Sequence, residues 1–247
     1  KDKTVVIVQS FQPHPDMSLF DIIFAAETAK DLGAKRVVLV APYLAYMRQD
    51  VRFHPGECIS SRVMAKLLNN SVNRVITIDT HLHRYKTMRE IFKISAQNVT
   101  ANDLLAEYIR QKIKNPVIIG PDGESYQWAE SIAKKIGADV TVLEKTRYNS
   151  RHVEVKVKKE IPLRGRDVVI VDDIISTGHT MIEALKQAKK AGAKSVIAIG
   201  VHGLFVEDAL VKMKKAGFAK IVTTNTIENP SSLIDISPLL LTELRKE

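Results

Sequence analysis

Four times along this chain a lysine-bearing helix pattern runs into a glycine and then into an apolar strand pattern. The joins are Ala-Lys-Asp-Leu-Gly-Ala-Lys-Arg-Val-Val-Leu-Val from Ala29, Ala-Lys-Lys-Ile-Gly-Ala-Asp-Val-Thr-Val-Leu from Ala133, Ala-Lys-Lys-Ala-Gly-Ala-Lys-Ser-Val-Ile-Ala-Ile from Ala188, and Lys-Lys-Ala-Gly-Phe-Ala-Lys-Ile-Val-Thr-Thr from Lys214. A glycine suits the left-handed position just past a helix, and the β-branched run after it suits a strand buried between helix layers. Strands joined through helices run parallel, so the repeat points to an α/β fold and excludes all-β sandwiches and helix bundles. Further strands are predicted at residues 4–9, 74–79, 117–120 and 167–172, all nearly continuous apolar runs. The spacing is not that of a solenoid. The reading is two doubly wound halves with mostly parallel sheets, dividing near residues 97–102.

The stretch from Val168 to Thr180 carries the chemistry: Val-Val-Ile-Val-Asp-Asp-Ile-Ile-Ser-Thr-Gly-His-Thr. An apolar strand is predicted to stop at Asp172 and Asp173, and a Ser-Thr-Gly turn then opens a helix. Two carboxylates at the C-terminal edge of a parallel sheet accept hydrogen bonds from a vicinal diol such as that of ribose. Backbone N–H groups from Thr177 through Gly178 and His179 to Thr180, with the hydroxyls of Ser176, Thr177 and Thr180 and the positive end of the helix dipole, make a phosphate seat. A strand end and a helix cap would account for Ser176 or Thr177 alone. They would not account for a paired acid, three hydroxyls and a glycine in one turn. The segment reads as a ribose 5-phosphate cradle, and it resembles the phosphoribosyl-diphosphate (PRPP) loop of type I phosphoribosyltransferases and of PRPP synthetases.

Two segments depart from the α/β rhythm. Residues 42–57 follow a predicted strand and hold Tyr43, Tyr46, Arg48, Gln49, Asp50, Arg52, His54 and Glu57. Residues just past a strand end line the ligand crevice of a parallel sheet, so this cluster is a candidate nucleotide site. Residues 144–161 begin with Lys145, Thr146 and Arg147 and continue into the alternating Val153-Glu154-Val155-Lys156-Val157. They read as a cationic polar loop leading into a hairpin or edge strand.

Composition closes other routes. Cys58 is the single cysteine, which excludes a disulfide framework and a multi-cysteine zinc site. No apolar run approaches the roughly 20 residues that span a bilayer, and no leader pattern opens the chain at Lys1, so a soluble, cytoplasmic protein without membrane attachment is expected. The net charge of +9 lies on lysines scattered over helix faces, such as Lys186, Lys189, Lys190, Lys212, Lys214 and Lys215. A nucleic-acid stripe would cluster them, so no nucleic-acid partner is expected.

Pro-Tyr-Leu-Ala-Tyr-Met-Arg-Gln-Asp from Pro42 with His-Pro-Gly-Glu from His54, Ile-Thr-Ile-Asp-Thr-His from Ile76, His202-Gly-Leu-Phe and Thr224-Asn-Thr-Ile together resemble the ribose-phosphate diphosphokinase (PRPP synthetase) family, in a divergent bacterial or archaeal branch. Phosphoribosyltransferases lack the first of these motifs. The resemblance implies two type I phosphoribosyltransferase-like domains. Residues 1–97 would form the ATP side, without the family's usual N-terminal strand and hairpin. Residues 98–237 would carry the ribose 5-phosphate loop, and a helix at 238–247 would pack back on the first domain. It implies ATP contacts at Arg48, Gln49, Asp50 and His81, catalytic roles for Lys145, Arg147 and His81, and magnesium contacts at Asp79, His81 and Asp122. Lys145 and Arg147 fall on the family's mobile catalytic loop, so residues 146–151 are expected to move. Asp122, in Gly-Pro-Asp-Gly-Glu-Ser, aligns with a loop beside the diphosphate, and its plainer reading is a turn or cap for the helix carrying Trp128. A dedicated zinc centre at His81 and His83 lacks completing ligands nearby.

The implied reaction is magnesium-dependent transfer of the diphosphoryl group of ATP to the anomeric hydroxyl of ribose 5-phosphate, giving PRPP and AMP, by a homo-oligomer. Two alternatives stay open: a PRPP-consuming phosphoribosyltransferase and a non-catalytic regulatory homologue. AMP release from ATP and ribose 5-phosphate separates the first reading from both.

Overall fold

The computed structural model describes every residue except His83, Glu124, Ser150, Arg151, residues 158–160 and Glu247, with backbone alone for residues 143–149 and 152–157. The chain divides into two compact units, Lys1–Thr100 with Ser237–Glu247, and Ala101–Ile236.

In the first unit the order is β1 (Thr4–Val8), α1 (Pro15–Asp31), β2 (Arg36–Ala41), α2 (Ser60–Ser71), β3 (Arg74–Ile78), a 3-10 turn (Met88–Glu90) and β4 (Ser95–Val99). The strands pair in the order β1-β2-β3-β4, parallel throughout. Every side chain of β3 and all but the first of β2 are buried, as their unbroken apolar runs require. β4 is a strand that the sequence hides, because Ser-Ala-Gln-Asn-Val has neither an apolar run nor alternation. The helix Ser237–Leu244 (α7 in chain order) belongs to this unit and packs Leu240 and Leu244 against Val38, Val40 and Ile76. Arg74, buried at the start of β3, ties it down by an ion pair to Glu243 at 3.1 Å and a bond from Nε to Gln97 Oε1 at 2.8 Å.

The second unit runs α3 (Asn102–Lys112), β5 (Val117–Gly120), α4 (Tyr126–Ile136), β6 (Asp139–Asn149), β7 (His152–Val157), β8 (Asp167–Ile175), α5 (His179–Lys190), β9 (Ser195–Gly203), α6 (Ala209–Ala216), β10 (Lys220–Thr224) and β11 (Ser232–Ile234). Its sheet is ordered β11-β10-β9-β8-β5-β6-β7. All pairs are parallel except β6 with β7. One face of the core is built from Val117, Ile119, Val168 and Ile170 against Met181, Leu185 and Met213.

The four joins form as the pattern requires. Gly33, Gly137, Gly192 and Gly217 take φ of 83°, 65°, 83° and 96°, a region that costs a residue with a β-carbon roughly 1–2 kcal/mol. The α/β class with two mostly parallel sheets is therefore what the chain adopts. Among the described residues no helix is long and apolar enough to cross a membrane.

Candidate functional site

β8 corrects one expectation. The strand does not stop at the acidic pair but pairs with β9 through Ile174↔His202 and Ile175↔Gly203. Ile175 is buried, and its carbonyl accepts the N–H groups of Leu204 and Phe205 at 3.0 and 3.1 Å. Gly200 makes this possible, since a β-carbon there would lie 2.7 Å from Ile175 Cγ1. Asp172 and Asp173 thus sit inside a paired strand, the first half-buried and the second buried. Asp172 Oδ1 accepts the Asp173 N–H at 3.0 Å. Burial, then the charge of Asp173, then that of Asp122 push the Asp172 carboxyl well above the usual carboxylate range.

The turn after β8 leads through a left-handed glycine into α5. Gly178 has φ 71°, and a β-carbon on it would meet Met213 Cγ and Sδ at 2.8 Å, so both conformation and space require glycine. α5 starts at His179 with no side-chain cap bond, which leaves first-turn N–H groups to a ligand. Ser176 and Thr180 are half-buried, Thr177 and His179 are exposed, and the His179 N–H reaches Thr177 Oγ1 at 3.5 Å.

Asp122 does serve as a turn former. Its Oδ1 accepts the Ser125 N–H at 3.0 Å and the Ser125 hydroxyl at 2.9 Å just ahead of α4. Gly120 lets this turn close over β5, with Tyr126 backbone 3.1 Å from where a β-carbon would be. The electrostatic effect on Asp172 places the Asp122 charge toward the same strand end.

Lys145 and Arg147 lie on β6 rather than in a loop, opposite Val155 and Val153 of β7. The alternation of residues 153–157 completes a hairpin that extends the polar segment. Their side chains, and the expected movement of residues 146–151, lie outside the described residues.

His202 and Thr224 belong to a buried polar knot. His202 Nδ1 is 2.9 Å from Thr226 Oγ1, while Thr224 and Thr226 donate to the Val201 carbonyl at 2.8 and 3.1 Å. These landmarks fasten the ends of β9 and β10.

In the first unit, the segment after β2 is held by residues the sequence reading did not single out. Arg84 Nη1 bonds Asp50 Oδ1 at 2.6 Å and its N–H bonds Oδ2 at 3.2 Å, while the Tyr85 hydroxyl donates to the Asp50 carbonyl at 3.2 Å. The Asp50 carboxylate is 1% exposed and Arg84 54% exposed, with Arg84 also 5.9 Å over the Phe53 ring. Glu57 Oε2 accepts the N–H groups of Phe53 and His54 at 3.0 and 3.1 Å and the Gln49 amide at 3.5 Å. Asp50 and Gln49 therefore brace the loop, and Arg48 is exposed. Tyr43, Leu44, Ala45 and Met47 are buried and fold the loop, while Tyr46 and Phe53 stay exposed.

At the end of β3 the chain kinks. Asp79, buried, has φ 33° and donates its N–H to the Val99 carbonyl at 2.9 Å. The Thr80 N–H bonds Asn98 Oδ1 at 2.7 Å and the Asn98 amide returns to the Thr80 carbonyl at 3.3 Å. This reciprocal lock turns the chain off the sheet and leaves His81 half-buried at its edge. Among the described residues no three His, Cys, Asp or Glu side chains converge as a metal cluster.

An acid-bearing central strand, a glycine turn and an uncapped helix on a mostly parallel sheet define a phosphoribosyltransferase-type unit. Residues 88–234 match the phosphoribosyl transferase domain family, and residues 1–71 match the N-terminal domain of ribose phosphate pyrophosphokinase. Ribose-phosphate pyrophosphokinases of Methanopyrus kandleri and Saccharolobus solfataricus are each 36% identical over 239 residues, which is 96% of this chain and 81% of the relative. The crystal structure of phosphoribosylpyrophosphate synthetase from Mycobacterium smegmatis superposes with a TM-score of 0.87 at 26% identity, covering 99% of this chain and 82% of that one. The chain belongs to the ribose-phosphate pyrophosphokinase family, enzymes that transfer diphosphate groups.

Proposed function

We propose that this protein transfers the diphosphoryl group of ATP to the anomeric hydroxyl of ribose 5-phosphate. The anomeric oxygen attacks the β-phosphorus, the bond from that phosphorus to the α,β-bridging oxygen breaks, AMP leaves with that oxygen, and the hydroxyl proton is released. The arrangement from Asp172 to Thr180 is the observation that carries this reading. The uncapped start of α5 with Ser176, Thr177 and Thr180 takes the 5-phosphate, and Asp172 and Asp173 accept the ribose hydroxyls.

Nucleotide recognition is assigned to Arg48, Gln49, Asp50 and His81 in the first unit. Arg48 is the exposed cation of that set, whereas Gln49 and Asp50 act chiefly by fixing the loop through Glu57 and Arg84. Lys145 and Arg147 neutralise charge that builds on the transferred phosphoryl oxygens. A fixed cation there stabilises the transition state more than the ground state.

Magnesium fits the chemistry present. The charges of Asp173 and Asp122 that raise Asp172 sit on carboxylate oxygens, of the hard kind that a divalent cation such as magnesium takes as ligands. Magnesium usually keeps several waters and binds through one or two carboxylates plus substrate phosphates, so a dedicated protein cage is not needed. The proposed magnesium contacts are Asp79 and His81 within the first unit and, separately, Asp122 within the second. When bound, the cation neutralises phosphate charge and orients the β-phosphorus.

Phosphorus NMR of the chain with ATP, ribose 5-phosphate and magnesium tests the proposal. PRPP and AMP in equal amounts are expected, with AMP formation dependent on the sugar phosphate. ADP and phosphate, or no turnover with the intact protein, would contradict it.

A further inference from the structure

A positive φ on a bulky residue is rare, because the β-carbon then crowds the backbone. Between β9 and α6, Phe205, Glu207 and Asp208 all adopt it, with φ of 48°, 53° and 60°. Such strain persists only where the surroundings over-determine it, and it gathers at sites that clamp or place a ligand. Glu207 and Asp208 are exposed, so packing of their side chains does not offset it. Glycine would take this backbone freely. The phenyl ring at 205 therefore has a use that outweighs the strain.

The ring is a wedge. A β-carbon on Gly203 would lie 2.6 Å from Phe205 Cε2 and 2.8 Å from both Asn229 Nδ2 and Thr223 Cγ2, so a ring edge, an amide and a methyl share the slot that the glycine leaves. The Asn229 amide is braced, donating to Thr223 Oγ1 at 3.2 Å and to the Ile227 carbonyl at 2.9 Å. Phe205 is half-buried and packs against the core cluster that contains Ile175, Met181 and Met213. With the ring seated, the N–H groups of Leu204 and Phe205 converge on the carbonyl of Ile175, the last residue of β8.

The far end of the same segment meets the turn again. The Val206 carbonyl accepts the Ala209 N–H at 3.0 Å and the Asp208 carbonyl accepts the Lys212 N–H at 3.0 Å, so the strained residues launch α6. Ala209 and Met213 of that helix are the side chains that close on Gly178, whose β-carbon would meet them at 3.7 and 2.8 Å. Residues 204–213 thus hold Ile175 before the Ser176-Thr177 turn and Gly178 after it.

On the reading of Ser176 to Thr180 as the seat of the 5-phosphate, we propose that Phe205 is a positioning residue for that seat: its ring, held on strained backbone, fixes where Ser176 and Thr177 stand relative to the start of α5. Phe205 itself touches no substrate and acts through the Ile175 carbonyl and through α6. A seat of hydroxyls and N–H groups loses much of its grip with a misplacement of about 1 Å. A loosened turn must also be ordered by the ligand, which lowers affinity.

Titration calorimetry and steady-state rates on Phe205→Gly, Phe205→Leu and Phe205→Tyr test it, with circular dichroism showing that each variant is folded. Glycine and leucine both remove the ring, and leucine keeps enough apolar bulk to guard against a chain that fails to fold. Ribose 5-phosphate is expected to bind about tenfold more weakly to Phe205→Gly and about threefold more weakly to Phe205→Leu, with KM for this substrate rising in step. KM for ATP and kcat are expected to stay within about twofold and threefold of wild type, since a positioning role for the sugar-phosphate seat spares both. Phe205→Tyr keeps the ring and is expected to restore near wild-type affinity. Affinity in both ring-removing variants equal to wild type, an equal rise in both KM values, or a Phe205→Tyr protein as weak as Phe205→Gly would overturn the positioning role and leave the seat standing. No ribose 5-phosphate binding by wild type would overturn the seat and the positioning role with it.

Discussion

The same four-strand run occurs twice in this molecule. β1-β2-β3-β4 and β8-β9-β10-β11 are both parallel, and the joins that lead into β2 and β9, from Ala29 and Ala188, are close copies of one another. The turns that follow the first strand of each run are not. β8 itself carries two carboxylates near its end, and after it come Ser176, Thr177 and a left-handed glycine ahead of an uncapped helix that bears Thr180. After β1 comes Gln-Ser-Phe, where Phe11 is fully buried and its N–H bonds the Tyr43 carbonyl at 3.0 Å. Ser10 Oγ accepts the Tyr43 N–H at 3.2 Å and the Gln9 amide bonds the Ser10 carbonyl at 2.8 Å. In the first unit the polar groups of this turn are occupied in holding residues 42–57, and the candidate chemistry moves to the ends of β2 and β3. One scaffold thus supports the proposed phosphate seat or a structural plug according to a handful of residues around a strand end.

The largest effect expected separates transition-state cations from everything else. Lys145→Ala and Arg147→Ala are predicted to lower kcat about a thousandfold, with KM for both substrates within a few-fold. Steady-state rates check this, and rates within a few-fold of wild type would remove both residues from the mechanism.

Phe11→Ala breaks the plug. Emptying a buried aromatic site costs about 3–5 kcal/mol, and the loss should appear in urea unfolding. Ribose 5-phosphate affinity should hold, because the proposed sugar-phosphate seat is at the end of β8. A fall in that affinity at full occupancy of the folded state would mean that the turn after β1 also recognises the sugar.

Arg84→Ala sharpens the first-unit account. Removing one partner of a buried carboxylate costs several kcal/mol when both are buried, and the half-exposed guanidinium reduces this to about 1–2 kcal/mol. KM for ATP is expected to rise several-fold while KM for ribose 5-phosphate stays put, and Arg84→Lys should recover part of the loss. Equal changes in both KM values would reduce Arg84 to a general structural role.

The smallest effect is a pH signature of the β8 edge. Asp172 holds its proton to higher pH in the fold than in the unfolded chain, where release occurs near about 3.9. Between those limits the folded state binds more protons, so stability falls as pH rises. Asp172→Asn carries no such charge and should melt above wild type at neutral pH in metal-free buffer, the gap closing toward about pH 4. A gap that did not change with pH would show that the Asp172 carboxyl is ordinary.

The contrast between the two runs also shows what a sequence makes legible. The helix-glycine-strand joins, the buried strands and the turn from Ser176 to Thr180 follow from local rules, since left-handed glycines and continuous apolar runs each have one common use. β4 was hidden because its polar Ser-Ala-Gln-Asn-Val is placed by pairing with β3. The extension of β8 past Asp173 was hidden because Gly200, a distant residue, makes room for Ile175. Asp50 reads as a ligand contact from its motif, and only the fold reveals Arg84 across from it. The one available signal was that His81-Leu-His-Arg-Tyr places a cation and a phenol just past a strand end, near in space to the other strand-end segment.

The central claim is that the β8 edge holds a sugar phosphate. Calorimetric titration of ribose 5-phosphate into wild type, Asp172→Ala and Asp173→Ala tests it most directly, with circular dichroism confirming that each variant is folded. Saturable binding by wild type and at least tenfold weaker binding by both variants is the predicted result. Equal affinity in all three proteins would contradict the claim.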